Sequence, residues 1–106
     1  MVAIIFEVTP TDEGQPEYLS ISNKLKESLI NIPGFISVEH FQSLTDSDKQ
    51  LSLSFWKDEE SVSKWRNLVA HRNAQPNGRD NLLHDYRIRV GNIVRDYSLS
   101  DRHQAP

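Results

Sequence analysis

The chain has 106 residues, of which 37% are hydrophobic and 25% charged, and a formal net charge of -3. That length makes one domain around one modest core. The acidic balance argues against a general nucleic-acid or anionic-membrane binder, and the absence of cysteine excludes a disulfide framework and thiolate chemistry.

Val2 to Val8 alternates as a first strand, with Val2, Ile4, Phe6 and Val8 on one face and Ala3, Ile5 and Glu7 on the other. Thr9 to Gln15 is a polar loop. Pro16 suits the first turn of a helix. Tyr18, Ile21, Leu25, Leu29 and Ile32 then step by three or four into one apolar stripe. Pro33 and Gly34 stop this helix.

Phe35 to Leu44 reads as a second strand, with Ile36, Val38 and His40 on one face and Phe35, Ser37, Glu39 and Phe41 on the other. The turn residues from Thr45 to Lys49 join it by a hairpin to a third strand, where Leu51, Leu53 and Phe55 alternate with Ser52 and Ser54. Asp58 is a good N-cap, Glu59 and Glu60 suit the positive end of a helix dipole, and Val62, Trp65 and Val69 follow at helical spacing. Pro76, Asn77 and Gly78 interrupt the pattern, and a short helical turn is expected from Arg79 to Leu83. In the last strand Tyr86, Ile88 and Val90 share one face and Arg87 and Arg89 the other. Gly91 and Asn92 break the phase as an expected bulge, and Ile93, Val94 and Tyr97 continue beyond it. A domain over residues 1–98 and a polar tail over 99–106 follow.

The order β-α-β-β-α-β predicts an α+β, ferredoxin-like domain with a four-stranded antiparallel sheet. Right-handed crossovers put both helices on one sheet face. The other face is expected to carry Ile5, Phe35, Phe41 and Trp56, with Ser52, Ser54, Glu7, Glu39, Arg87 and Arg89. Large apolar groups are rarely left to water, so two such sheets are expected to pair in a homodimer. Glu7 is expected to form cross-strand ion pairs with Arg87 and Arg89.

PGFISVEHFQS, then LSLSFWKDEESVSKWRN, then HRNAQ with GR after it, then DYRIRVGNIVRDY, resemble in their order and spacing the antibiotic biosynthesis monooxygenase family. The resemblance runs from about the first strand to Tyr97 and implies a dimeric α+β barrel. It also implies an oxygenase of quinols or anthrones that needs no metal or flavin. Such chemistry uses a base, a cation or donor beside an oxyanion, and a dry apolar cavity.

Trp65 resembles the tryptophan that lines the family's pocket, and it also fits plain core on the Val62 stripe. His71 is the candidate base, with a helix-end histidine as its structural explanation. Arg72 and Arg79 are candidate anion partners, or surface cations linked to Asp80 or Asp85. His40 and Tyr86 are candidate pocket residues, each with a structural explanation as a satisfied strand histidine or a core aromatic. The four histidines show no local metal-ligand spacing, so no metal is expected. Haem-degrading relatives use an Asn in the first strand, and this first strand has none. The expectation is therefore a cofactor-independent monooxygenase of a small aromatic ligand. The alternative is a dimeric ligand-binding or accessory module without turnover. No apolar run approaches the roughly 18 residues of a membrane span, and no secretory pattern is evident, so a cytoplasmic protein with no nucleic-acid or membrane partner is expected.

Overall fold

A computed structural model describes residues 1–73 and 83–104; the side chains of 21, 25, 68–73, 83 and 84 lie outside the description. The elements are β1 (Val2–Pro10), α1 (Gln15–Leu29), β2 (Phe35–Gln42), β3 (Gln50–Trp56), α2 (Glu59–Asn73) and β4 (Leu83–Asn92). The sheet order is β2-β3-β1-β4, and every neighbouring pair is antiparallel. This is the expected ferredoxin-like arrangement.

Local chemistry sets the element ends. Gly14 stands at the N-cap of α1 without a side-chain cap bond, Pro16 occupies its first turn, and Glu17 adds an acidic residue there. In front of α2, the Asp58 Oδ1 accepts the Ser61 N–H at 2.9 Å and the Ser61 hydroxyl at 2.8 Å, so Asp58 caps this helix. Gly34 takes φ +90, where a side chain is strained, and an added Cβ would collide with the Ser61 hydroxyl. Its carbonyl accepts the Lys57 N–H at 2.7 Å, which ties the end of the α1–β2 turn to the start of the β3–α2 turn. The β2–β3 loop is closed by Gln42, whose side-chain amide donates to the Ser47 and Lys49 carbonyls at 2.9 and 3.0 Å.

The ladder registers divide one sheet face into four rows. From one end these are Phe35–Trp56–Val2–Asn92, Val38–Ser54–Ile4–Val90, His40–Ser52–Phe6–Ile88 and Gln42–Gln50–Val8–Tyr86. Leu29 of α1 and Val62 and Trp65 of α2 pack with Val2, Ile4 and Trp56, so both helices cover this face. Trp56 and Val62 are fully buried, and Phe35 meets Trp56 edge-on at 5.2 Å between ring centroids.

This phase corrects the expected composition of the uncovered face. Trp56, Phe35, Ser52 and Ser54 lie under the helices. Ala3, Ile5, Leu51, Leu53, Phe55 and Phe41 lie on the other face, with Glu7, Glu39, Arg87 and Arg89. Alternation in β3 separates Leu51, Leu53 and Phe55 from the serines, but it does not say which set the helices cover. A register irregularity between Phe35 and Ser37 adds the second correction. It puts Phe35 on the face of Val38 and His40 and leaves Ile36 out of phase and 52% exposed.

Two further expectations change. The β1–β4 ladder runs regularly through Gly91 and Asn92, and its irregularity falls between Thr9 and Pro10 instead. β4 ends at Asn92, so Val94 and Tyr97 do not extend it, although the Ile93 N–H still donates to the Met1 carbonyl at 2.9 Å. Residues 79–82 of the expected helical turn lie outside the described residues, and Leu83 already belongs to β4. The ion pairing of Glu7 is present with Arg89 at 3.2 Å but not with Arg87 among the described residues; its second partner is Lys49 of the hairpin, at 3.7 Å. Among the described residues no helix is long and apolar enough to cross a membrane.

Candidate functional site

The helix-covered face is filled unevenly. At one end Val2, Ile4, Trp56, Val62 and Trp65 form a close-packed core. β4 is an edge strand open along its length, with Val90 42%, Ile88 39% and Tyr86 56% exposed, while Val8 and Gln50 beside them are buried. Polar groups lie towards the β2 edge of this face: His40, Ser52 and the buried Gln50 come from the strands, and Ser22 reaches across from α1. The apolar Phe6 and Ile88 pair directly, and Phe6 also meets the Tyr86 ring edge-on at 6.1 Å.

His40 is the best-defined ionisable group of this region. Its Nε2 lies 3.0 Å from the Ser22 Oγ. Partial burial of the ring, and then the nearby Lys26 ammonium, hold its pKa below the ordinary imidazole value. His40 stands exposed on the edge strand β2. One helical turn before Ser22, Tyr18 is buried, and burial raises its phenol pKa against a smaller opposing effect of its hydrogen bond with Ser22.

The sequence-derived candidates separate along this face. Trp65 is 8% exposed and belongs to the packed end, so its core role is present whatever else it does. His40 and Tyr86 belong to adjacent rows on the two opposite edge strands, β2 and β4. The side chains of His71 and Arg72 lie outside the description, although their backbone is within α2. Arg79 lies outside the described residues altogether. Ser22, Ser52 and Phe6 join the region without having been singled out from sequence. Ser22 had a signal, because it stands four residues after Tyr18 on the buried stripe of α1.

A second feature is a polar cleft of about 340 Å³ beside the hairpin, with Glu7, Asp46, Lys49, Asp85 and Arg87 among its lining. Its mixed charges suit water and ions better than an apolar ring. Among the described residues no three His, Asp or Glu side chains gather into a metal-binding group.

The sequence profile of antibiotic biosynthesis monooxygenases matches residues 1–77. The chain belongs to the antibiotic biosynthesis monooxygenase family. Within that family it is 44% identical over 94 residues to a jasmonate monooxygenase of Pyricularia oryzae, a match that covers 89% of this chain and 44% of that protein. The chain thus spans less than half the length of this relative. Among solved structures, SnoaB, a cofactor-independent oxygenase from Streptomyces nogalater, superposes with a TM-score of 0.71 at 12% identity, covering 90% of this chain and 94% of SnoaB. The heme-degrader MhuD from Mycobacterium tuberculosis, with two hemes bound in its active site, superposes with a TM-score of 0.70 at 15% identity over 92% of this chain and all of MhuD. At these identities the two structures attest the monooxygenase family's fold and nothing finer.

Proposed function

We propose that this chain is a cofactor-independent monooxygenase of a small, mostly apolar, ring-bearing substrate bound beneath the helices at the His40–Ser52–Phe6–Ile88 row. The observation that carries the reading is the 44% identity to a jasmonate monooxygenase across 89% of the chain. The apolar Phe6–Ile88 pair beside His40 and Ser52 on the covered face supports it.

An electron-rich quinol or anthrone is the substrate class that fits a site needing no bound metal or flavin. A base removes a proton from the substrate, and the resulting anion passes one electron to dioxygen. The radical pair combines into a C–O bond, and the hydroperoxide loses water to leave a ketone. Dioxygen is the oxidant, one of its atoms ending in product and the other in water. In this scheme His71 is the base, Arg72 or Arg79 faces the developing anion, and Trp65, His40 and Tyr86 bound the substrate. A jasmonate-like cyclic ketone acid is a second reading, favoured by the name of the relative. Haem degradation fits poorly, because the helix-facing side chains of β1 are Val2, Ile4, Phe6 and Val8, none of which donates a hydrogen bond.

The working unit in this reading is a cytoplasmic homodimer. The uncovered face, with Ile5, Leu51, Leu53, Phe55 and Phe41, is the surface that a second copy would cover.

Oxygen uptake with 1,4-naphthohydroquinone, anthrone and jasmonic acid tests the activity. Uptake that falls in both His71→Ala and Arg72→Ala supports the assignment. Binding of these compounds without oxygen consumption would instead support a ligand-binding module without turnover.

A further inference from the structure

We infer that two copies of this chain pair about a twofold axis parallel to the strands, so that β2 of each copy lies across from β4 of the other and Glu39 meets the partner's Arg87 and Arg89. The inference rests on the proposed homodimer through the uncovered face and adds which way round the two sheets face each other.

The ladder registers divide the uncovered face into rows. Ser37–Phe55–Ala3–Gly91, Glu39–Leu53–Ile5–Arg89 and Phe41–Leu51–Glu7–Arg87 each run from β2 through β3 and β1 to β4. The middle of the face is apolar, through Ile5, Leu51, Leu53 and Phe55. Its two edges carry opposite charge, Glu39 on β2 and Arg87 with Arg89 on β4, and all three side chains are exposed. Three strand spacings, roughly 14 Å, keep Glu39 from the arginines of its own chain. Among the described residues neither Glu39 nor Arg87 has an ion-pair partner within the chain. Arg89 holds Glu7 at 3.2 Å, and its five-donor guanidinium can serve a second carboxylate.

A twofold axis that relates two sheets packed face to face lies in the plane between them. Perpendicular to the strands, it lays β2 over β2 and β4 over β4. Both Glu39 carboxylates then gather along one side and all the arginines along the other, and like charges oppose each other across the interface. Parallel to the strands, it lays β2 over β4 on both sides and keeps like row on like row, within the roughly 30° crossing of aligned sheets. Glu39 and Arg89, at opposite ends of one row, then face each other twice. The apolar middle falls on itself in both settings, so burial alone does not choose, and the charges do. A second observation agrees. Ile36 at the start of β2 is 52% exposed, and Val94 just past the end of β4 is 83% exposed. They stand at the same end of the sheet, on opposite edges. The parallel axis brings Ile36 of each copy to the Val94 edge of the other, and the perpendicular axis carries them to opposite ends.

The chain has no cysteine, so crosslinking of the full-length protein can be directed. Sedimentation at micromolar concentration comes first, and a monomer removes the homodimer and the inference with it. Treated with bismaleimidoethane, too short to join β2 and β4 of one chain, Glu39→Cys combined with Arg89→Cys is expected to give a covalent dimer. Glu39→Cys alone and Arg89→Cys alone are expected to give none. A covalent dimer from either single variant would overturn the parallel setting and leave the homodimer standing. A sedimenting dimer that no variant crosslinks would do the same. The charges are read separately. Glu39→Gln is expected to raise the dimer Kd about 2- to 10-fold, and added salt to weaken wild type more than this variant. A Kd that is unchanged or lower in Glu39→Gln would overturn the contact between Glu39 and the partner's arginines.

Discussion

The indole N–H of Trp56 donates to the Ser54 hydroxyl, two residues back along the same strand, at 2.9 Å. The pair explains how a fully buried indole and a small polar residue share the face under the helices. Ser54→Ala leaves the indole donor without this partner in a dry place. The expected cost is about 1–3 kcal/mol, read as a lower urea midpoint at unchanged slope.

Gly34 sits against Ser61 across the two turns that lead into β2 and α2. Gly34→Ala is expected to cost more than about 1 kcal/mol, because it combines a positive φ with a collision. Adding Ser61→Ala removes the collision and leaves the backbone strain. The double variant should therefore melt between Gly34→Ala and wild type, provided the Ser61→Ala change is first measured alone. Equal melting of the single and double Gly34 variants would show that the collision carries no energy.

Trp65 closes the packed end together with Val62 and Trp56. Trp65→Ala is expected to lose about 3–5 kcal/mol from the cavity it leaves, by chemical denaturation. Trp65→Phe should retain much of that stability. If substrate touches this residue, the Phe variant will also raise KM for 1,4-naphthohydroquinone.

The apolar row on the uncovered face makes the dimer testable by one charge. Sedimentation at micromolar concentration is expected to show two copies for wild type and one for Leu53→Asp, with the circular dichroism of the fold kept. A wild-type monomer would refute the pairing.

Asp58 links stability to pH through the cap of α2. Hydrogen bonds from the Ser61 backbone, then from its side chain, hold the Asp58 pKa below 3.8. A carboxylate lowered in the folded state contributes stability that is present above 3.8 and lost as pH falls through the folded value. Asp58→Ala should therefore melt below wild type at neutral pH, and the gap should close as pH falls below 3.8. A gap that stays constant with pH would mean that the hydrogen bonds of the ionised carboxylate are not its source.

Much of the fold follows from local pattern. The stripe of α1 and the alternation of β1 and β3 define the elements, and Asp58 and Gly34 mark boundaries. Their order then determines the sheet, because hairpin and crossover rules leave few alternatives. The covered face was not legible in β3, because period-2 alternation is symmetric between the two faces of a sheet. Helix packing broke that symmetry by burying Trp56. The shift at Phe35 was equally silent, since a bulge changes register through one backbone residue without a composition signal.

The candidate site divides in the same way. Local sequence identified His40, Tyr86 and Trp65 as residues able to do chemistry, because their types carry it. Helical spacing already allowed Trp65 a core place beside Val62, and only the tertiary structure put His40 against Ser22. A contact between residues 18 apart depends on where a helix lies over a strand, and helical periodicity does not encode that distance.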